Sequence, residues 1–199
     1  ASAVLSGVVE SSNGEEITER GFLWLRGEGT PTADSQKLIV SGTTGDFNAT
    51  LSDLLPNQKY SFCAYAANSK GTAYGETMSF TTSVAKPSLD LVTFSSITAT
   101  SATLSSKVTS HGGATVTEVG FYYSTEEAVD PEKSLKVNRT YTNDSFSISL
   151  SELSINTKYY VKAYAVNSAG TAYSDVASFT TLASTPVVKI VGTSEVTST

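Results

Sequence analysis

The 199-residue sequence has a single cysteine, a single histidine, a single methionine and a single tryptophan. With only Cys63, no intrachain disulfide can form, so stability must come from burial and hydrogen bonding. His111 and Cys63 lie far apart in the sequence and cannot by themselves make a zinc site. His111 also lacks the nucleophile elbow and oxyanion loop that a histidine–serine–carboxylate triad needs, and it is read as a solvated loop residue. Basic residues are scarce, 13 against 19 acidic ones, for a net charge of −6. They form no cluster, which argues against nucleic acid or an anionic membrane surface as partner. No apolar run approaches the roughly 20 residues of a membrane-spanning helix, no signal peptide is recognisable, and no glycine-rich phosphate loop joins a strand to a helix. The acidic stretch Glu126, Glu127, Asp130 and Glu132 lacks the alternating Asp/Asn-and-Gly pattern of a calcium loop and reads as a solvated charge run. No catalytic, metal-ligating or cofactor-binding residue is assigned; the expectation is a protein that is not an enzyme and needs no cofactor.

What the chain does have is a repeat. Ala64–Tyr74, AYAANSKGTAY, returns as Ala163–Tyr173, AYAVNSAGTAY, a spacing of 163 − 64 = 99 residues. Aligning Ala3–Thr82 on Ala102–Thr181 needs no gap and leaves 34 of 80 positions identical. An ungapped duplication of about 100 residues is one domain-sized structural unit used twice.

Within each copy, apolar and polar residues alternate with period two. Tyr60, Phe62, Ala64 and Ala66 share one face, while Ser61, Cys63, Tyr65 and Ala67 share the other, which is the spacing of strands. Turn signals such as Asn13-Gly14, Pro56-Asn57 and Asn68 to Gly71 come at short intervals, and no stretch keeps a 3.6-residue period. The predicted strands of the first copy are Ala3–Ser11, Ile17–Arg26, Lys37–Val40, Asp46–Leu51, Lys59–Asn68 and Ala73–Thr82. The second copy repeats them 99 residues later, with an additional strand before it at Leu89–Phe94. The expected core of the first copy is Phe22, Phe47, Leu51, Leu54, Tyr60, Phe62 and Phe80. Its counterparts are Phe121, Phe146, Leu150, Leu153, Tyr159, Val161 and Phe179.

The run Leu54-Leu55-Pro56-Asn57-Gln58-Lys59-Tyr60, followed by Ala66-Ala67-Asn68-Ser69-Lys70-Gly71, resembles a fibronectin type III domain. The second copy keeps Leu153, Asn156, Tyr159, Ala165, Asn167 and Gly170, with Ile155 in place of the proline. The family's tryptophan of the second strand is absent, and Leu5 and Leu104 stand there. This variant resembles the tandem repeats of bacterial cell-surface and secreted proteins. The resemblance implies an all-β fold of two tandem fibronectin type III-like sandwiches plus a C-terminal strand from a truncated third repeat. It also implies a tyrosine corner at Tyr60 and Tyr159, whose hydroxyls are expected to find backbone acceptors. The location it implies is extracellular or at the cell surface, with a lipid anchor outside this segment as one arrangement.

The domain boundaries follow from the phase of the repeat. Residues 1–82 are repeat 1, expected to lack its first strand because Ala1 aligns with Thr100. Residues 83–185 are repeat 2, entered through the short linker Ser83–Ser88, in which Pro87 limits hinge freedom. Residues 186–199 match the opening of repeat 2, with Val188, Ile190 and Val191 at the positions of Leu89, Leu91 and Val92, and so read as the opening strand of a third repeat. The segment is therefore expected to come from a longer array. Head-to-tail exchange of the 186–199 strand with the edge of repeat 1 in another molecule is one consequence.

One surface could hold a ligand. If Tyr60 points inward, Tyr65 points outward, as do Tyr160 and Tyr164, with Tyr122 on the neighbouring strand unless a bulge near Thr18 or Thr117 shifts the register. An outward aromatic stripe stacks on sugar rings or anchors a protein, although cross-strand tyrosines also stabilise a half-exposed sheet without any ligand. The functional expectation is a non-catalytic spacer whose partners are other domains of the same polypeptide. The alternative is a module that binds carbohydrate or a surface protein through the tyrosine face.

Overall fold

The computed structural model describes residues 1–190 and 192, and every regular element among them is a strand. In repeat 1 these are β1 (Ala3–Val9), β2 (Ile17–Arg26), β3 (Gln36–Ile39), β4 (Gly45–Leu51), β5 (Lys59–Asn68), β6 (Gly71–Tyr74) and β7 (Met78–Thr81). In repeat 2 they are β8 (Ser88–Leu89), β9 (Thr93–Ser95), β10 (Ala102–Ser110), β11 (Glu118–Ser124), β12 (Leu135–Thr140), β13 (Ser145–Leu150), β14 (Lys158–Asn167), β15 (Gly170–Tyr173) and β16 (Ala177–Thr180).

Each repeat is a two-layer sandwich. Repeat 2 places β13, β10, β8 and β9 in one sheet and β12, β11, β14, β15 and β16 in the other. Repeat 1 has the matching second sheet, β3-β2-β5-β6 with β7 beside β5, but its first sheet is only β1 paired with β4. Leu5, Val9, Phe47 and Leu51 from the small sheet meet Ile17, Phe22 and Tyr60 from the large one in a single buried cluster. Fully burying each such side chain contributes about 1.5–3 kcal/mol, against the entropy of ordering it. Phe22 and Phe47 pack across the layers with centroids 4.9 Å apart, and Phe121 and Phe146 do the same at 5.2 Å. Leu5 and Leu104, which stand where the fibronectin tryptophan would be, are both buried.

The strand over Ala73–Thr82 breaks into two pieces. β6 pairs with β5 as Tyr65↔Tyr74, whereas β7 pairs as Phe62↔Met78. Stepping back three residues on β5 therefore takes four on its partner, so one extra residue is accommodated between Tyr74 and Met78 as a bulge. The predicted strand Leu89–Phe94 is likewise split into β8 and β9. The register shift suspected near Thr18 is present between Ile17 and Glu19.

The tyrosine corner forms, with the opposite hydrogen-bond sense to the one expected. The Leu55 amide donates to the Tyr60 hydroxyl and the Ser154 amide to the Tyr159 hydroxyl, both at 2.9 Å. A second device closes the same turn. The Thr82 hydroxyl donates to the Leu55 carbonyl at 2.6 Å and accepts from the Gln58 amide at 3.0 Å; Thr181 does the same with Ser154 at 2.6 Å and Thr157 at 2.9 Å.

Arg20 is buried in repeat 1. Its guanidinium donates to the carbonyls of Thr43 and Ser41, both at 2.9 Å, and lies 4.9 Å from the centre of the Phe47 ring. Val119 takes its place in repeat 2.

Contacts group the chain into two compact units: Ala1–Ser88 with Thr109–Thr117 and Ala165–Ala172, and Leu89–Val108 with Glu118–Tyr164 and Tyr173–Thr199. Within the first, the linker backbone is held on both sides. The Ala85 amide donates to the Gly112 carbonyl at 2.8 Å, and Asn167 donates to the Ala85 and His111 carbonyls at 2.7 and 2.9 Å.

Pro186–Ile190 forms no strand, and Val187, Val188 and Ile190 are exposed. The rest of the expected 186–199 strand, apart from Gly192, lies outside the described residues.

Candidate ligand face

The large sheet of each sandwich has an outer side built the same way twice. A glutamate sits near the start of β2 or β11, a lysine lies on the strand beside it, and a tyrosine comes from the long strand on the other side. In repeat 1, the Tyr65 hydroxyl donates to Glu19 Oε1 at 2.7 Å and the Lys37 ammonium donates to the same oxygen at 3.0 Å. Lys37 Nζ also lies 5.3 Å from the centre of the Tyr65 ring. In repeat 2, Tyr164 reaches Glu118 Oε1 at 2.5 Å, Lys136 reaches it at 2.9 Å, and Lys136 Nζ sits 4.9 Å from the Tyr164 ring centre. Between these side chains the strands approach closely. A Cβ on Gly21 would lie 2.2 Å from the Leu38 carbonyl oxygen, and one on Gly120 would lie 2.2 Å from that of Val137.

This arrangement sets the electrostatics. The tyrosine hydrogen bond, then the lysine, holds the Glu118 carboxyl below the usual carboxylate range, and Glu19 is lowered by the same pair of causes. Burial, followed by the hydrogen bond to the glutamate, pushes the Tyr65 and Tyr164 phenols upward. Lys136 is raised by Glu118. The outcome is a neutral phenol, a carboxylate and an ammonium in mutual contact, which is a cross-strand brace with no activated nucleophile.

The expectation that Tyr65 and Tyr164 are exposed is corrected here. They lie on the side of the strand opposite Tyr60 and Tyr159, but Tyr65 is 3% and Tyr164 is 1% exposed. Tyr65 forms a small cluster with Leu23 and Cys63, separate from the main core, and the lysine stem covers the ring. Burial pushes the Cys63 thiol up, so it is held protonated.

Tyr122 and Tyr160 are partly exposed. Tyr122 packs on Tyr164 at 5.0 Å and on Tyr173 at 6.1 Å between centroids. Lys162 Nζ lies 5.2 Å from the Tyr173 ring, which is 44% exposed. Tyr160 has its own lysine neighbour, Lys158, at 4.8 Å. The structure therefore joins Tyr122 and Tyr164 and adds Tyr173, Lys136 and Lys162; Tyr65 belongs to the other sandwich. Repeat 1 presents a shallow depression of about 250 Å³ on the corresponding side, bounded by Glu19, Leu23, Lys37, Tyr65 and Tyr74.

No known protein family and no curated protein matches the chain. Similar solved structures include the sensor domain of the anti-sigma factor RsgI4 of Pseudobacteroides cellulosolvens, with 26% identity and a TM-score of 0.40, covering 51% of this chain and 99% of that one. They also include the chicken CNTN1 FN1–FN3 domains, with 21% identity and a TM-score of 0.38, covering 90% of this chain and 62% of that one.

Glu19, Lys37, Tyr74 and their counterparts Glu118, Lys136 and Tyr173 were not picked out by strand periodicity. All three are identical in the two copies, so the repeat itself carried the signal. Among the described residues, no three histidines, cysteines or carboxylates come together as a metal site. Asp130 instead turns its own loop, accepting from the Glu132 amide at 3.0 Å.

Proposed function

We propose that this chain is a non-catalytic structural spacer, a pair of sandwich modules in a cell-surface or secreted multidomain protein. Its partners are then the other domains of the same polypeptide. The observation that supports this reading is which residues the two copies share. Shared residues build the core (Phe22 and Phe121), the corner (Tyr60 and Tyr159), the closing threonines (Thr82 and Thr181) and the glutamate–tyrosine–lysine brace. Positions exposed in repeat 1 that take no part in these contacts differ: Val4, Val8 and Met78 become Thr103, Lys107 and Ala177. A duplication that keeps the fold and lets the surface diverge suits a module used for its span.

A second reading, binding of carbohydrate or a surface protein, is favoured by one observation: Tyr122, Tyr164 and Tyr173 cluster beside Lys136 and Lys162. Such a face stacks on a sugar ring and donates hydrogen bonds at its rim. The two readings separate in a glycan-array screen of the chain alongside its Tyr122→Ala/Tyr173→Ala variant. The spacer reading expects no saturable binding by either protein. Saturable binding by the parent that the variant loses replaces it with the second reading.

A further inference from the structure

The outer clusters of the two large sheets differ by one aromatic ring. Repeat 2 has Tyr122 on β11, and the same position of β2 is Leu23. The Tyr122 ring sits 5.0 Å from that of Tyr164 and 6.1 Å from that of Tyr173, centroid to centroid. Both of those tyrosines recur in repeat 1 as Tyr65 and Tyr74, which face each other across β5 and β6. The ring that packs on them in repeat 2 does not recur.

In its place, repeat 1 has the depression of about 250 Å³, lined by Leu23, Tyr65 and Tyr74 together with Glu19, Ala33 and Lys37. The first three are the counterparts of Tyr122, Tyr164 and Tyr173, so the opening lies where leucine stops short of the space a phenol ring takes in the other copy. Leu23 and Tyr65 are its deep members, 1% and 3% exposed, and Tyr74, 51% exposed, forms its outer wall. Two tyrosine rings at such a site favour a third aromatic ring at a centroid distance of about 4.5–7 Å, tilted or offset. The size limits the occupant to a single ring, since pockets for drug-sized ligands run from about 300 to 1,000 Å³. A polar group is also in place. The Tyr65 hydroxyl is committed to Glu19 Oε1, whereas the Lys37 ammonium gives that oxygen one hydrogen bond, at 3.0 Å. An ammonium carries three donors, so Lys37 can also donate to a hydroxyl on the ring.

We propose that this depression is a binding site for one phenolic ring from outside the chain, seated against Tyr65 and Tyr74 as Tyr122 is seated against Tyr164 and Tyr173. The ring hydroxyl accepts from Lys37, and the glutamate–tyrosine–lysine brace stays intact as one wall of the site. The ring belongs to a free phenol or to a tyrosine residue of a polypeptide, two sources of one chemistry. The site goes beyond the spacer role, and it lies in the other sandwich from the tyrosine face of repeat 2.

The test is a titration of the isotope-labelled full chain with p-cresol and, separately, with N-acetyl-tyrosinamide, followed by amide resonances. Ligands with so few atoms should bind with a Kd of about 1 mM. Saturable shifts are expected at Leu23, Tyr65 and Tyr74, with Tyr164 and Tyr173 unmoved. Saturation by p-cresol alone makes the source a free phenol; saturation by N-acetyl-tyrosinamide makes it a tyrosine residue. Leu23→Tyr gives repeat 1 its own ring and should abolish binding. Because a larger side chain at a buried position can strain the sheet, Tyr74→Ala serves as the second variant. Tyr74 is half exposed, so the fold is not at risk, and binding should weaken by about tenfold. Tyr122→Leu should open the equivalent site in repeat 2, adding shifts at Tyr164 and Tyr173. The proposal is overturned if neither probe saturates by about 20 mM, where a millimolar site is filled. It is equally overturned if the shifts centre elsewhere, if Leu23→Tyr and Tyr74→Ala bind as the parent does, or if Tyr122→Leu opens nothing.

Discussion

The tyrosine corner shows how little atomic detail a residue pattern needs to be useful, and where it stops. The resemblance to fibronectin type III domains implied that Tyr60 and Tyr159 close onto the preceding turn. The direction of the hydrogen bond was not legible, because a hydroxyl both donates and accepts and its role depends on which backbone group the turn leaves unpaired. Here that group is an amide. Tyr60→Phe therefore leaves the Leu55 amide without its partner and should cost about 1–3 kcal/mol, read as a lower denaturation midpoint at unchanged slope. Tyr159→Phe should match it, since Ser154 stands in the same relation at the same distance. Arg20 marks the opposite limit. Nothing in its neighbours Glu19 and Gly21 signals that this charge is buried, because the carbonyls that satisfy it belong to a turn more than 20 residues away.

At the level of elements, the long central strands were the most legible. Ile17–Arg26 and Lys59–Asn68 fall where alternation placed them, because each buries one full face against the opposite sheet. The last strand of each repeat was not, since alternation continues across a one-residue bulge that only the pairing partner reveals. The outer face of the large sheet was misjudged for a related reason. A residue opposite the core reads as exposed, but neighbouring strands bring Glu118, Lys136 and Tyr122 over Tyr164. That cluster ties three strands together and gives them a pH signature. The Glu118 carboxyl is held below the ordinary glutamate value of about 4.3, so its contribution is complete above that value. It is lost as pH falls through the depressed one. Lys136 and Tyr164 are shifted upward, so their contributions are complete below their ordinary values and are lost as the solution becomes more alkaline. Denaturation midpoints measured from pH 7 down to 3 should fall for the parent chain. Glu118→Gln should be less stable at pH 7 and show a shallower acid slope.

Across the whole molecule, the two sandwiches share a plan but not a complement of strands. Repeat 2 has β8 and β9 on its small sheet, with Phe94 covering Phe179; repeat 1 has β1 and β4 alone. Fewer ladder partners among the described residues and a partly exposed Phe80 should make repeat 1 the less stable of the two. The one tryptophan, Trp24, packs against Tyr60 at 6.0 Å inside repeat 1, so its fluorescence reports that repeat alone, while far-ultraviolet circular dichroism reports both. In urea, the fluorescence midpoint should fall below the circular dichroism midpoint; coincident curves would mean that the two repeats melt together. The duplication made this comparison legible from the start, because each position in one copy has a control in the other. What it did not reveal was the depression beside Tyr65 and Tyr74, which exists only once the strands of the large sheet are paired. Cys63, buried with Leu23 and Tyr65 in the outer cluster, should resist thiol reagents until that sheet opens, so its labelling rate is a clock for the opening of repeat 1.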